Sequence, residues 1–150
     1  MYTTEGIILK RLDIGEADAL FNIYTREFGK IRALARGIKK EGAKLKGHLE
    51  PFSLSNISFV LGKNGERITH ATLLNFWHGI RIDFSKLQAA AYISALVDDN
   101  CMLGERDDPL WELLIKNLHL LDHSKTADKY FLSSFKVQFL AVLGYNAEHD

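Results

Sequence analysis

The chain has 150 residues, 47% of them apolar and 25% charged, with no net formal charge; this composition excludes a disordered chain and suits a globular one. No apolar run reaches the roughly 18–20 residues that span a bilayer, and Met1-Tyr2-Thr3-Thr4-Glu5 lacks the basic-then-apolar order of a secretory signal. The single cysteine, Cys101, excludes an internal disulfide and a multi-thiolate metal site, so a reducing cytoplasm is the expected compartment.

The first 75 residues read as five short strands. Gly6–Arg11 centres on Ile7-Ile8-Leu9. Ala19–Arg26 carries Phe21, Ile23, Tyr24 and Thr25, which suit a pleated surface. In 30–38, Ile31, Ala33 and Ala35 alternate with Lys30, Arg32, Leu34 and Arg36, so the cations share one face. Ile57–Leu61 and Arg67–Leu74 flank Gly62-Lys63-Asn64-Gly65, and Asn-Gly between apolar runs signals a hairpin. Five strands with tight turns point to a small closed barrel of the OB type.

Helical spacing begins after Phe76, across a short linker within 75–86. From Leu87 to Leu103, Ala90, Ile93, Val97 and Cys101 fall on one stripe. Asp108-Pro109 reads as an N-cap and first helical residue, opening a helix with Trp111, Ile115, Leu118 and Leu121. Ser124 or Thr126 would cap a third helix bearing Phe131, Phe135, Phe139 and Val142, with Gly144 placed to end it. The expected fold class is α+β, a five-stranded OB-fold barrel over 1–78 followed by an α-helical domain over 79–150.

Charge separates the two parts. Residues 1–80 hold 12 Lys/Arg against 8 Asp/Glu, and residues 81–150 hold 7 against 11, which suggests modules with different partners. The contrast peaks at 30–46, where Lys30, Arg32, Arg36, Lys39, Lys40, Lys44 and Lys46 face the single acid Glu41. The reading is a phosphate-tracking surface, with strand cations followed by a mobile lysine loop; Lys10 and Arg11 extend it if the first and third strands are near neighbours. The bland alternative is a solvated loop. Tyr24 and Phe28 are candidates to stack on bases, although phenylalanine in a small barrel is more often core.

Enzyme signals fail. Ala43 stands where the lysine of a phosphate loop belongs. His48-Leu49-Glu50 lacks the following P-C-x-x-C of a zinc deaminase. His119 and His123 share a helix face without an evident third ligand, and His70, His78 and His149 are scattered. Asp98-Asp99 and Asp107-Asp108 read as helix-end acids. No catalytic site, metal, cofactor, membrane association or small-molecule substrate is expected.

An ordered set of segments resembles the RecO family. It comprises Glu5-Gly6-Ile7-Ile8-Leu9-Lys10-Arg11, Gly15-Glu16-Ala17-Asp18, the run from Tyr24 to Gly37, Leu45-Lys46-Gly47-His48-Leu49-Glu50-Pro51-Phe52 and Leu143-Gly144-Tyr145. The resemblance implies a DNA recombination and repair mediator of the nucleoid. Such a protein binds single- and double-stranded DNA, anneals strands, and with RecR helps load RecA onto strands coated by SSB, the single-stranded-DNA-binding protein. It also implies recognition of the SSB C-terminal tail. Phe131, Leu132 and Phe135 would form an apolar floor there, with Lys129 or Lys136 as a cationic rim. Family members usually continue further and often carry a cysteine-ligated zinc, so the helical half is expected to be incomplete, its apolar surface hidden by self-association. Ser133-Ser134 stand where the family often has an arginine, before Phe135-Lys136 rather than a Phe-Glu pair. An OB-type protein scaffold and an RNA-binding module remain as alternative readings.

Overall fold

A computed structural model describes residues 1–63, 65–125 and 128–148. Five strands form a closed barrel: β1 (Tyr2–Ile14), β2 (Asp18–Thr25), β3 (Gly29–Ala35), β4 (Leu54–Gly62) and β5 (Gly65–Asn75), in the order β1-β2-β3-β5-β4. All pairings are antiparallel except β3 with β5. This is the OB-fold. The chain forms two compact units, 1–76 with 94–106, and 77–93 with 107–150. The segment 94–106 thus groups with the barrel, although its sequence reads as helical domain.

Alternation builds the barrel core. Ile8, Ile23 and Ile31 are mutually in register, as are Phe21 and Ala33, and these face inward with Ile57, Phe59 and Ile68. The first strand runs further than Ile7-Ile8-Leu9 suggests, because its edges pair with both β2 and β4; a bulge between Ile8 and Lys10 lets it turn from one partner to the other. The β4–β5 hairpin closes at the Gly62–Gly65 pair, while Asn64 lies outside the described residues. The third strand stops at Ala35, before the expected Ile38, because Gly37 takes φ +70° and donates its N–H to Asp18 Oδ1.

The expected linker contains a short helix, α1 (His78–Arg81). It is followed by α2 (Phe84–Asn100), α3 (Asp108–His123) and α4 (Lys129–Glu148). Asp107, not Asp108, is the N-cap of α3, accepting from Leu110 N at 3.0 Å, with Pro109 inside the first turn. Ser124 ends α3 rather than starting α4, its N–H bonding Leu120 O. Asp128 caps α4 through Tyr130 N, and Thr126 lies outside the described residues. Helix α4 runs through Gly144, which therefore does not end it. In this second unit Gly79 lets α1 approach α3, since a Cβ there would strike Asp122 O; Ile80 N donates to Asp122 Oδ1 at 3.2 Å. Among the described residues no helix is long and apolar enough to cross a membrane.

Candidate nucleic-acid interface

The seven cations of 30–46 do not share one surface. Those of β3 lie on the outer face of the barrel, as alternation requires, but segment 94–106 covers part of that face. Lys30 is only 8% exposed. Its Nζ sits 3.0 Å from Asp98 Oδ1 and donates to Asp98 O at 2.7 Å. Asp98 is therefore an ion-pair partner, not a solvated helix-end acid, and Lys30 cannot meet a phosphate. The cover is close. Gly104 N donates to Lys30 O at 2.9 Å, and Gly29 (φ +66°) has no room for a Cβ against Glu105 O. Tyr24, paired with Lys30 in register, is 1% exposed and cannot stack on a base.

One strand position further along, the face opens. Lys10, Asn22 and Arg32 stand in a row across β1, β2 and β3. β1 and β3 are not paired, since β2 separates them, which puts Lys10 and Arg32 about 10 Å apart at the backbone. Both are exposed, and Arg32 is steadied by donating from Nε to Asn22 Oδ1 at 3.0 Å. Asn22 in turn donates to Asp98 Oδ1, so the buried pair orients the exposed arginine. Arg36 is exposed at the end of the strand. Arg11 is half-buried, its Nε on Asp13 Oδ1 at 2.9 Å and its guanidinium 5.8 Å from the Phe21 ring centre. That hydrogen bond chiefly holds the Asp13 carboxyl below its usual pKa, with the charges of Arg11 and Lys39 adding to the effect.

Backbone hydrogen bonds shape the lysine loop. It is a chain of tight turns, with Lys40 N on Gly37 O, Ala43 N on Lys40 O and Lys46 N on Ala43 O. Ile38 and Leu49 are buried in the barrel core, and Leu45 packs against it. Anchoring these apolar side chains inward turns Lys40, Lys44 and Lys46 outward, and all three are exposed. Lys39 is intermediate: its Nζ donates to Gly15 O at 2.7 Å and lies 3.6 Å from Asp13 Oδ2, tying the loop to the β1–β2 turn. His48 is structural, its Nδ1 accepting from Leu73 N.

A second feature escaped the sequence. Tyr2, Phe28 and Phe59 form an aromatic cluster with ring centres 5.4–5.6 Å apart. It lines a cavity of about 610 Å³ beside Arg32. Phe28 was a stacking candidate; Tyr2 and Phe59 were not, because only the Tyr2–Phe59 register of β1 with β4 brings them together.

In the second unit, Phe135 is fully buried and stacks on Phe139, so it is core and not an open floor. Phe131 and Leu132 are half-buried, and Lys129 and Lys136 are exposed. The ring centres of His119 and His123 lie 4.2 Å apart. Among the described residues, which exclude His149, no three His, Cys, Asp or Glu side chains gather as a metal site.

Residues 1–77 match the family model described as Recombination protein O N terminal, and residues 81–150 match Recombination protein O C terminal. DNA repair protein RecO of Syntrophomonas wolfei subsp. wolfei is 33% identical over 143 residues, covering 95% of this chain and 57% of that protein. The RecO of Gloeobacter violaceus is 34% identical over 120 residues, covering 80% and 46%. That of Desulforamulus reducens is 32% identical over 144 residues, covering 96% and 56%. The chain spans about half the length of these curated relatives.

Proposed function

This chain belongs to the RecO family of recombination and DNA repair proteins, and from that premise we propose that its barrel binds DNA through the sugar–phosphate backbone. The observation that carries the reading is the loop whose buried Ile38 and Leu49 turn Lys40, Lys44 and Lys46 into solvent beside exposed Arg36. A loop backbone tied by its own hydrogen bonds has less freedom to lose on meeting a phosphate than an untied one. Lys10 and Arg32 extend the track along the outer face, with Arg11 and Lys39 at its margin. Lys30 takes no part. Such a surface reads no sequence, so it accepts single and double strands and serves strand annealing.

Four to six phosphate contacts give a log–log salt slope of about −3 to −4 on single strands. Replacing Lys40, Lys44 and Lys46 together by glutamate lowers affinity on the order of 100-fold, about 2.7 kcal/mol, and flattens the slope by about 2. Titration of labelled DNA at two salt concentrations measures both. Parental affinity in the triple variant would reduce the basic loop to a solvated surface.

The helical unit is proposed to meet the acidic SSB tail, and the chain to act with RecR in helping to load RecA. Helical spacing sets Lys129, Leu132 and Lys136 on one stripe of α4, two cations around an apolar side chain. Lys129→Glu with Lys136→Glu then weakens SSB-tail peptide binding at least about tenfold in fluorescence anisotropy. Equal binding by parent and variant removes this stripe from the reading.

A further inference from the structure

The cavity beside Arg32 has a composition that phosphate tracking does not use. Its volume, about 610 Å³, lies within the roughly 300–1,000 Å³ of small-molecule sites. Its wall is aromatic and open: Tyr2 is 43% exposed where it packs on Phe28 and Phe59. Leu61 and Leu103, also on the lining, are 66% and 55% exposed. Solitary exposed apolar residues are ordinary, but several converging on one concavity mark a binding surface. Local structure presents the wall deliberately. Thr25 Oγ1 accepts from Phe28 N and donates to Gly29 O, fixing the β2–β3 turn that carries Phe28. Arg32 also lines the cavity and is oriented by Asn22.

Charge selects the occupant. Glu27 and Glu66 line the same cavity, and Glu66 is held opposite Leu61 and Ala33 by strand register. Two carboxylates repel a phosphate and an acidic peptide alike. They suit a flat neutral ring with hydrogen-bond donors on its edge, as carboxylates accept from the amino group of cytosine. Lys30, on the floor, is already paired with Asp98.

We propose that this cavity takes one unpaired nucleobase of a bound single strand, stacked on Tyr2 and Phe28 with its amino edge toward Glu27 and Glu66. Arg32 holds the flanking phosphate. The inference rests on the DNA-binding reading of the barrel and adds to it a site that only single-stranded DNA can fill. A duplex keeps its base faces covered, so duplex affinity comes from the cationic track alone.

The test uses the 150-residue chain, three labelled DNAs of one length and fluorescence anisotropy. The DNAs are a mixed-sequence single strand, a strand of abasic residues and a duplex. The parent binds the base-bearing strand about tenfold more tightly than the abasic one, the effect of one stacked base. Tyr2→Leu loses that preference while its duplex affinity stays parental; Tyr2→Phe, which keeps the ring, retains the preference. Equal parental binding to base-bearing and abasic strands overturns the proposal and does not depend on any variant folding. So does a Tyr2→Leu protein that keeps the preference. If none of the three DNAs binds in a salt-dependent way, the wider DNA-binding reading fails; if all bind without regard to bases, only the base site does.

Discussion

In the strand half of the basic stretch, Lys30 lies under segment 94–106 with its ammonium against Asp98. In the loop half, Lys40, Lys44 and Lys46 stand in solvent while Ile38 and Leu49 on either side of them are buried. The two halves are alike in residue type and formal charge. They differ in what their backbone packs against. A strand side chain is committed to one face, and anything that covers the face covers the charge. A loop of tight turns can turn apolar residues inward and leave every other side chain wet. Formal charge thus overstates the charge available to a ligand, and the excess is spent on holding the fold.

The largest effect separating the halves is expected at Lys30. Lys30→Met leaves the Asp98 carboxylate buried without its cation, a change that costs about 3–5 kcal/mol. Urea denaturation reads this loss, and adding Asp98→Leu restores most of it. DNA affinity of the folded protein stays within about twofold, because no phosphate contact is lost. If Lys30→Met instead weakens DNA binding as the triple loop variant does, the division between halves is wrong.

The triple glutamate variant is the converse case. Its expected loss is of affinity, while its unfolding free energy in urea changes by no more than exposed substitutions usually do, roughly 0.5 kcal/mol. A large stability loss would mean that the lysines hold the loop and not only its buried anchors.

The smallest effect falls on Lys39, which belongs to both halves. Its side chain is 25% exposed, and it donates to Gly15 O while still facing solvent. Lys39→Met costs about 1 kcal/mol of stability, the net contribution of one such bond discounted for exposure. Its DNA affinity falls less than about threefold. A full-sized change in either measurement would move Lys39 wholly into one half.

Much of the fold was legible because it depends on local pattern. Period-two alternation in Ile31, Ala33 and Ala35 announced an inward strand face, and all three are buried. The Asp-Pro pair announced a helix start and missed only which aspartate caps it, since Asp107 and Asp108 differ by one residue of backbone geometry. Gly144 misled, because a glycine is tolerated within a helix whose other residues continue it.

The site was legible only in its ingredients. Residue type and order along the chain determined the barrel, the helices after it and the loop where lysine accumulates, because hydrophobic period and turn chemistry act over a few residues. Tertiary structure alone decided which cations are usable. Asp98 lies 68 residues beyond Lys30, and Phe59 lies 57 beyond Tyr2. Whether such pairs meet depends on strand register and on where 94–106 crosses the barrel. Burial is a property of the face that covers a residue, and no short window of sequence contains that face.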